Sequence, residues 1–157
     1  MAIINHVLET KNERIISPFG DRSITVDGRT VRGHDGVDIV PEGWIITPVS
    51  GLVVYVKYNV RGKDTSGLHD LGNYVKIKVN DKYILRFCHL AKCKTLVRVG
   101  QTVKAGAVIG YMGTTGFSDG VHLHFGLYDI SNGIETAIDP LPFLEGKMPL
   151  TGNGGYN

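Results

Sequence analysis

The chain has 157 residues, with 17 Lys and Arg against 15 Asp and Glu for a formal net charge of +2, 42% apolar residues, 21 glycines, six histidines and two cysteines. A chain of this length is one domain's worth and buries roughly 70% of the surface its unfolded form exposes, so its core needs neither disulfide nor structural metal. The near-even charge balance, with no block of like charge, excludes an extended nucleic-acid-binding or polybasic membrane surface, and plentiful aliphatic residues with aperiodic glycine exclude disordered and collagen-like classes.

Residues 1–14 carry no basic region followed by a long apolar core, so no Sec-type signal peptide is read there. They are expected to form an extension before a domain over 15–145. Short runs rich in β-branched and aromatic residues then recur at 23–26, 36–40, 44–47, 51–58, 73–79, 84–89, 108–112 and 122–128, each reading as a strand. Asp27-Gly28, Pro41-Glu42-Gly43, Asn80-Asp81, Lys104-Ala105-Gly106 and Asp119-Gly120 punctuate them as turns. The longest apolar runs, 37–40 and 52–56, fall far short of the ~20 residues that span a bilayer, and no membrane association is expected. Only 131–144, interrupted by Pro140 and Pro142, leaves room for a turn of helix. The expected fold is therefore mostly β, an antiparallel sheet or barrel-like β-sandwich with little helix. The polar, glycine-rich segments 59–72 and 113–121 are longer than hairpins require and are expected to wall a groove. Residues 146–157 read as a flexible tail.

Three pieces carry chemistry. In Val121-His122-Leu123-His124-Phe125, residues two apart on a strand face the same way, so His122 and His124 project together while Leu123 and Phe125 enter the core. In Gly33-His34-Asp35-Gly36-Val37-Asp38, His34 and Asp38 are four apart and are placed on one face of a strand. His89 closes the apolar run Arg86-Phe87-Cys88. Each has a plain structural reading alone: a surface histidine pair, a carboxylate that caps a turn, a hydrogen-bonded histidine. Together they suggest a zinc site. His34, Asp38 and His124 supply two neutral donors and one anion, which leaves positive charge to acidify a bound water, while His122 and His89 handle protons. No His-Glu-x-x-His helix is present, so histidine must replace the glutamate base of such sites. Cys88 and Cys93 fit either reduced thiols or a short disulfide, and strand alternation turns Cys88 away from the partners of His89, against a thiol nucleophile.

At these residues the chain resembles the lysostaphin/LytM-type zinc endopeptidases of bacterial peptidoglycan. Ile16-Ser17-Pro18-Phe19-Gly20-Asp21-Arg22 is similar to the family's opening strand and turn, and His34-Asp35-Gly36-Val37-Asp38 to its His-x-x-x-Asp pair. Cys88-His89-Leu90 and His122-Leu123-His124-Phe125 stand where its later motifs fall, and 72–77 and 99–110 also fit. The resemblance covers about 15–145 and implies a duplicated-hybrid-motif β fold. It also implies one zinc per chain held by His34, Asp38 and His124, with His89 and His122 catalytic. The family often has a tyrosine shortly before the first zinc histidine, whereas Thr30-Val31-Arg32-Gly33 precede His34 here. Arg32 is a candidate for a substrate carboxylate, beside the reading of an exposed structural arginine.

The implied activity is hydrolysis of peptide bonds in peptidoglycan cross-links or stem peptides by a monomer that acts on the cell wall. The short chain without a signal peptide points to a phage-type lysin, released by a holin or carried on a tail, or to one domain of a larger lysin. Two other readings compete. Residues 99–110 also look like the hairpin of biotinyl, lipoyl or phosphocarrier domains, but no Met-Lys-Met-like turn is present and a phosphocarrier does not need Asp38 with His34. A catalytically inactive relative that binds peptidoglycan or activates an amidase would have lost ligands, and none is lost.

Overall fold

Alternating β-branched and polar residues between glycine turns draw the chain into short strands. The computed structural model describes residues 2–118 and 120–150. Its strands are β1 (Arg14–Ser17), β2 (Gly20–Val26), β3 (Arg29–His34), β4 (Val37–Val40), β5 (Trp44–Ile46), β6 (Gly51–Lys57), β7 (Asn73–Lys78), β8 (Tyr83–Thr95), β9 (Thr102–Val103), β10 (Val108–Met112), β11 (Leu123–Asp129) and β12 (Thr136–Ile138), followed by one helical turn, α1 (Leu141–Leu144). The fold is thus almost entirely β, with the helix confined to the one segment expected to allow it.

Ten strands form one sheet with the order β1-β4-β11-β8-β7-β6-β9; β10 joins β5 to β8, and β12 pairs with β11 beyond the end of β4. All pairings are antiparallel. β2 and β3 form a separate hairpin. One face of the sheet packs the core. Leu85 and Phe87 of β8, Leu123, Phe125 and Leu127 of β11, and Val75 and Ile77 of β7 are fully buried, each worth roughly 1.5–3 kcal/mol of burial. Phe87 stands opposite Phe125, their rings 5.2 Å apart. Because alternate residues face the other way, His124 is left for the opposite face of β11, between Asp38 on β4 and Cys88 on β8.

The N-terminal residues join the same core. Val7 and Leu8 are fully buried, Leu8 bridges to Ile45, and the amides of Ile4 and Asn5 donate to the Leu144 carbonyl at 2.8 and 3.0 Å. In the segment expected to be a flexible tail, Met148 and Leu150 pack partly buried against the core. Residues 151–157 of that tail, like Met1 and the Asp119 of the expected Asp119-Gly120 turn, lie outside the described residues. No helix among the described residues is long and apolar enough to cross a membrane.

Candidate metal centre

His34 and Asp38 do not share one strand as their spacing suggested. His34 ends β3 and Asp38 lies within β4, with a bend at Asp35-Gly36 between them. Four residues of straight strand would separate them by about 13 Å; the bend brings His34 Nε2 to 3.1 Å from Asp38 Oδ1. Glycine is required at this bend. A Cβ on Gly36 would stand 2.4 Å from the Phe125 carbonyl oxygen and 2.8 Å from His124 Nε2. Pairing of β4 with β11 then sets His124 directly opposite Asp38, where cross-strand side chains on one face meet.

The result is a buried triangle of donors. His34 Nε2 lies 3.1 Å from His124 Nδ1, and His124 Nδ1 lies 3.3 Å from Asp38 Oδ1. The outer ring nitrogens face oxygen atoms: His34 Nδ1 donates to the Pro18 carbonyl at 2.8 Å, and His124 Nε2 lies 3.0 Å from Asp35 Oδ1 without a well-aligned hydrogen bond. A neutral imidazole has one N–H, so with the outer nitrogens protonated, two lone pairs and a carboxylate oxygen face one another. That arrangement repels itself unless a cation fills it. Ligand atoms of a tetrahedral zinc with bonds of ~2.0–2.2 Å are about 3.3–3.6 Å apart, and these three atoms, 3.1–3.3 Å apart, lie at or slightly inside the lower edge of that range. The electrostatics agree. Burial opposes charge on His124, yet Asp35 and Asp38 raise its pKa above the ordinary value. Burial also opposes ionisation of Asp38, but contacts from His124 and His34 hold its carboxyl well below the usual range. The residues present therefore fit a metal ion, and His34, Asp38 and His124 are the only such cluster among the described residues.

His89 and His122 flank this triangle with their rings 5.0 Å apart, and His122 Nε2 is 3.5 Å from Asp38 Oδ1. Each donates Nδ1 to a backbone carbonyl, His89 to Thr115 at 2.6 Å and His122 to Gly120 at 2.8 Å, which leaves both Nε2 atoms as proton acceptors. Burial, reinforced by His122 and His124, pushes the pKa of His89 down to about 3, so this ring is neutral at physiological pH. His89 takes a left-handed backbone, φ +67°, uncommon for a non-glycine residue. Its N–H donates to Leu71 and its carbonyl accepts from Gly113. The alternation expected of a straight strand therefore fails here: Cys88 pairs with His124 and faces the same side, not away from the site. Both cysteines are free thiols. Complete burial holds the Cys88 thiol well above its ordinary pKa, which keeps it protonated and supplies the actual argument against a thiol nucleophile.

A groove of about 600 Å³ opens over the triangle. Of the two segments expected as walls, 113–121 contributes Phe117 and Ser118 but 59–72 only Asp70 and Leu71; most of 59–69 lines a separate depression with Lys57. The other wall is the β2–β3 hairpin, through Arg22, Ile24, Val31 and Arg32, with Phe19 just before it, which was not anticipated. Arg32 is exposed on β3 at the groove edge. Two residues that were not singled out reach the centre more directly. Arg22 points Nη2 at Asp38 Oδ2, 3.4 Å away, and Asp35 contacts His124. Arg22 was visible only as part of the opening motif, and Asp35 only as a residue between His34 and Asp38.

Comparison with known proteins places the sequence and fold among peptidases. Over residues 32–140 the sequence matches the profile of Peptidase family M23. The chain is 37% identical over 147 residues to an uncharacterized metalloprotease of Haemophilus influenzae, covering 92% of this chain and 27% of that protein. To peptidoglycan DD-endopeptidase ShyC of Vibrio cholerae it is 34% identical over 117 residues, 71% of this chain and 24% of that one. Its fold superposes on the catalytic domain of the antimicrobial peptidase lysostaphin from Staphylococcus simulans with TM-score 0.67 and 32% identity, over 85% of this chain and 93% of that domain. The chain spans about a quarter to a half of the length of the curated relatives it matches. With a match that covers most of its length and a fold shared with a member's catalytic domain, the chain belongs to peptidase family M23.

Proposed function

We propose that the chain is a zinc-dependent endopeptidase, with one zinc per chain, that hydrolyses peptide bonds in the cross-links or stem peptides of bacterial peptidoglycan. The observation that carries this reading is the triangle of His34 Nε2, Asp38 Oδ1 and His124 Nδ1 at mutual separations of 3.1–3.3 Å, with two further imidazoles beside it. Zinc bound there would act as a Lewis acid toward the attacking water and the scissile carbonyl. The chain's own residues do the rest. The neutral His89 Nε2 and the His122 Nε2 face the groove as the groups able to take a proton from the nucleophile and return it to the leaving amine. The Thr115 and Gly120 carbonyls fix their tautomers. Arg22 stands next to the Asp38 carboxylate, and Arg32 at the groove edge is placed to meet a substrate carboxylate.

The peptidoglycan substrate is supported by the kinship with ShyC and lysostaphin; with that substrate, the place of action is the cell wall. A complete donor set supports hydrolysis over a merely wall-binding role. Metal analysis and digestion of purified cell walls test the proposal. One zinc per chain, lost in His34→Ala and Asp38→Ala together with the release of new peptide termini, is expected. Wall digestion by the metal-free protein overturns it. Phage functions encoded beside the gene would support a phage-type lysin, and a chromosomal setting free of them would oppose it.

A further inference from the structure

We propose that Asp35 is a positioning residue for the metal centre, its carboxylate accepting the His124 Nε2 proton and thereby keeping Nδ1 unprotonated and aimed at the metal. The proposal rests on the reading of His124 as a ligand. His124 Nε2 is a buried nitrogen with no well-aligned hydrogen-bond partner, and Asp35 Oδ1 stands 3.0 Å from it. An imidazole that carries its proton on Nε2 presents a lone pair at Nδ1, the atom that faces His34 and Asp38. Pro18 serves His34 in the same sense through its carbonyl.

Half of the Asp35 side chain is exposed, so something must fix its rotamer. Tyr128 Oη does so, donating to Asp35 Oδ2 at 2.6 Å. The Tyr128 ring in turn lies over Gly126, where a Cβ would stand 2.8 Å from Cε1, and beneath the Arg86 guanidinium, 4.1 Å from its centroid. Glu135 holds Arg86 at 2.9 Å and is itself held by Lys76 at 2.8 Å. The support therefore runs from β7 and β8 through β11 to the turn that carries Asp35. Carboxylates that accept from the outer nitrogen of a ligating histidine orient the ring and raise its basicity, and their loss typically weakens metal binding about 10–100-fold.

The test is zinc affinity of the full chain, measured by competition with a chromophoric chelator, with the Co²⁺ absorption spectrum as a report on geometry. Asp35→Ala is expected to weaken zinc about 10–100-fold and to alter the cobalt spectrum. Asp35→Asn, whose amide oxygen still accepts from Nε2, should recover most of the affinity, and Tyr128→Phe should lose less than Asp35→Ala. Wild-type affinity in Asp35→Ala overturns the proposal, as does a loss that Asp35→Asn does not recover. Should Asp35→Ala fail to fold, unchanged affinity in Tyr128→Phe overturns it. His124→Ala separates the two readings: full zinc affinity there removes His124 from the ligand set and both fall, whereas lost affinity there with none lost in Asp35→Ala defeats the positioning role alone.

Discussion

His34 Nε2 and Asp38 Oδ1 lie 3.1 Å apart across a bend that admits no side chain at position 36. The substitution Gly36→Ala would press a methyl group onto the Phe125 carbonyl and the His124 ring at once. Backbone cannot yield as a flexible side chain does, so the β4–β11 pairing or the donor triangle must open. Overpacking of this kind costs about 1–3 kcal/mol. The expected outcome is a lower melting temperature with loss of bound zinc, read by thermal unfolding and metal analysis. Full zinc content in a folded Gly36→Ala variant would show that the triangle does not depend on this bend.

His122 sits beside the triangle without belonging to it, its Nε2 3.5 Å from Asp38 Oδ1. His122→Ala should therefore retain zinc while kcat falls about 10²–10⁴-fold, the usual range for loss of a positioned acid or base. Metal stoichiometry and wall-digestion kinetics on one preparation check it. Loss of zinc in this variant would make His122 a ligand instead.

The elements that were legible in the sequence are those in which one residue type dominates a period. β7 alternates cleanly, and Leu123, Phe125 and Leu127 recur at every second position of β11, so their core faces follow from a period of two; His122, just before β11, meets Asp38 beside His124. β3, Arg-Thr-Val-Arg-Gly-His, has no such signal because it belongs to a hairpin outside the main sheet, and its role as a groove wall was illegible for the same reason. His34 and Asp38 stood out as a pair, yet by spacing they belonged to one strand; the bend that joins them depends on how closely Gly36 approaches β11, a tertiary fact. Arg22 and Asp38, 16 residues apart, and Asp35 and His124, 89 apart, meet only once the hairpin and the sheet are assembled.

The hairpin is fastened across the groove. Arg29 donates to both oxygens of Asp70, at 2.6 and 2.8 Å, and lies 5.0 Å from the centre of the Phe117 ring. Both partners of this ion pair are solvent-accessible, so its contribution to global stability is small, but it ties the tip of β2–β3 to both loops of the opposite wall. Arg29→Ala should leave the unfolding midpoint nearly unchanged and speed amide exchange over residues 20–34, with KM for wall fragments changing more than kcat. Hydrogen exchange followed by mass spectrometry reads the first effect; unchanged exchange in the hairpin would show that the clasp holds nothing.

Glu13 offers a prediction for pH. Its side chain is 1% exposed and accepts the amides of Val7 and Leu8 at 2.8 and 2.9 Å, with His6 Nδ1 2.6 Å from its other oxygen. Burial opposes ionisation, but the contacts with His6, Leu8 and Val7 outweigh it and hold the carboxyl below its ordinary value of 4.5. A carboxyl whose pKa is depressed by folding stabilises the folded state fully above its unfolded value, and that stabilisation disappears as pH falls through the folded value. Glu13→Gln should therefore cost about 1.5–3 kcal/mol at pH 7, the range for hydrogen bonds to a charged group, and the gap to the wild type should close progressively below pH 4.5. Urea unfolding of both proteins from pH 7 to pH 3 measures it. A gap that stays constant over that range would mean that the carboxylate's charge does not fasten Val7 and Leu8 to the core, and that their apolar contacts alone hold the N-terminal segment in place.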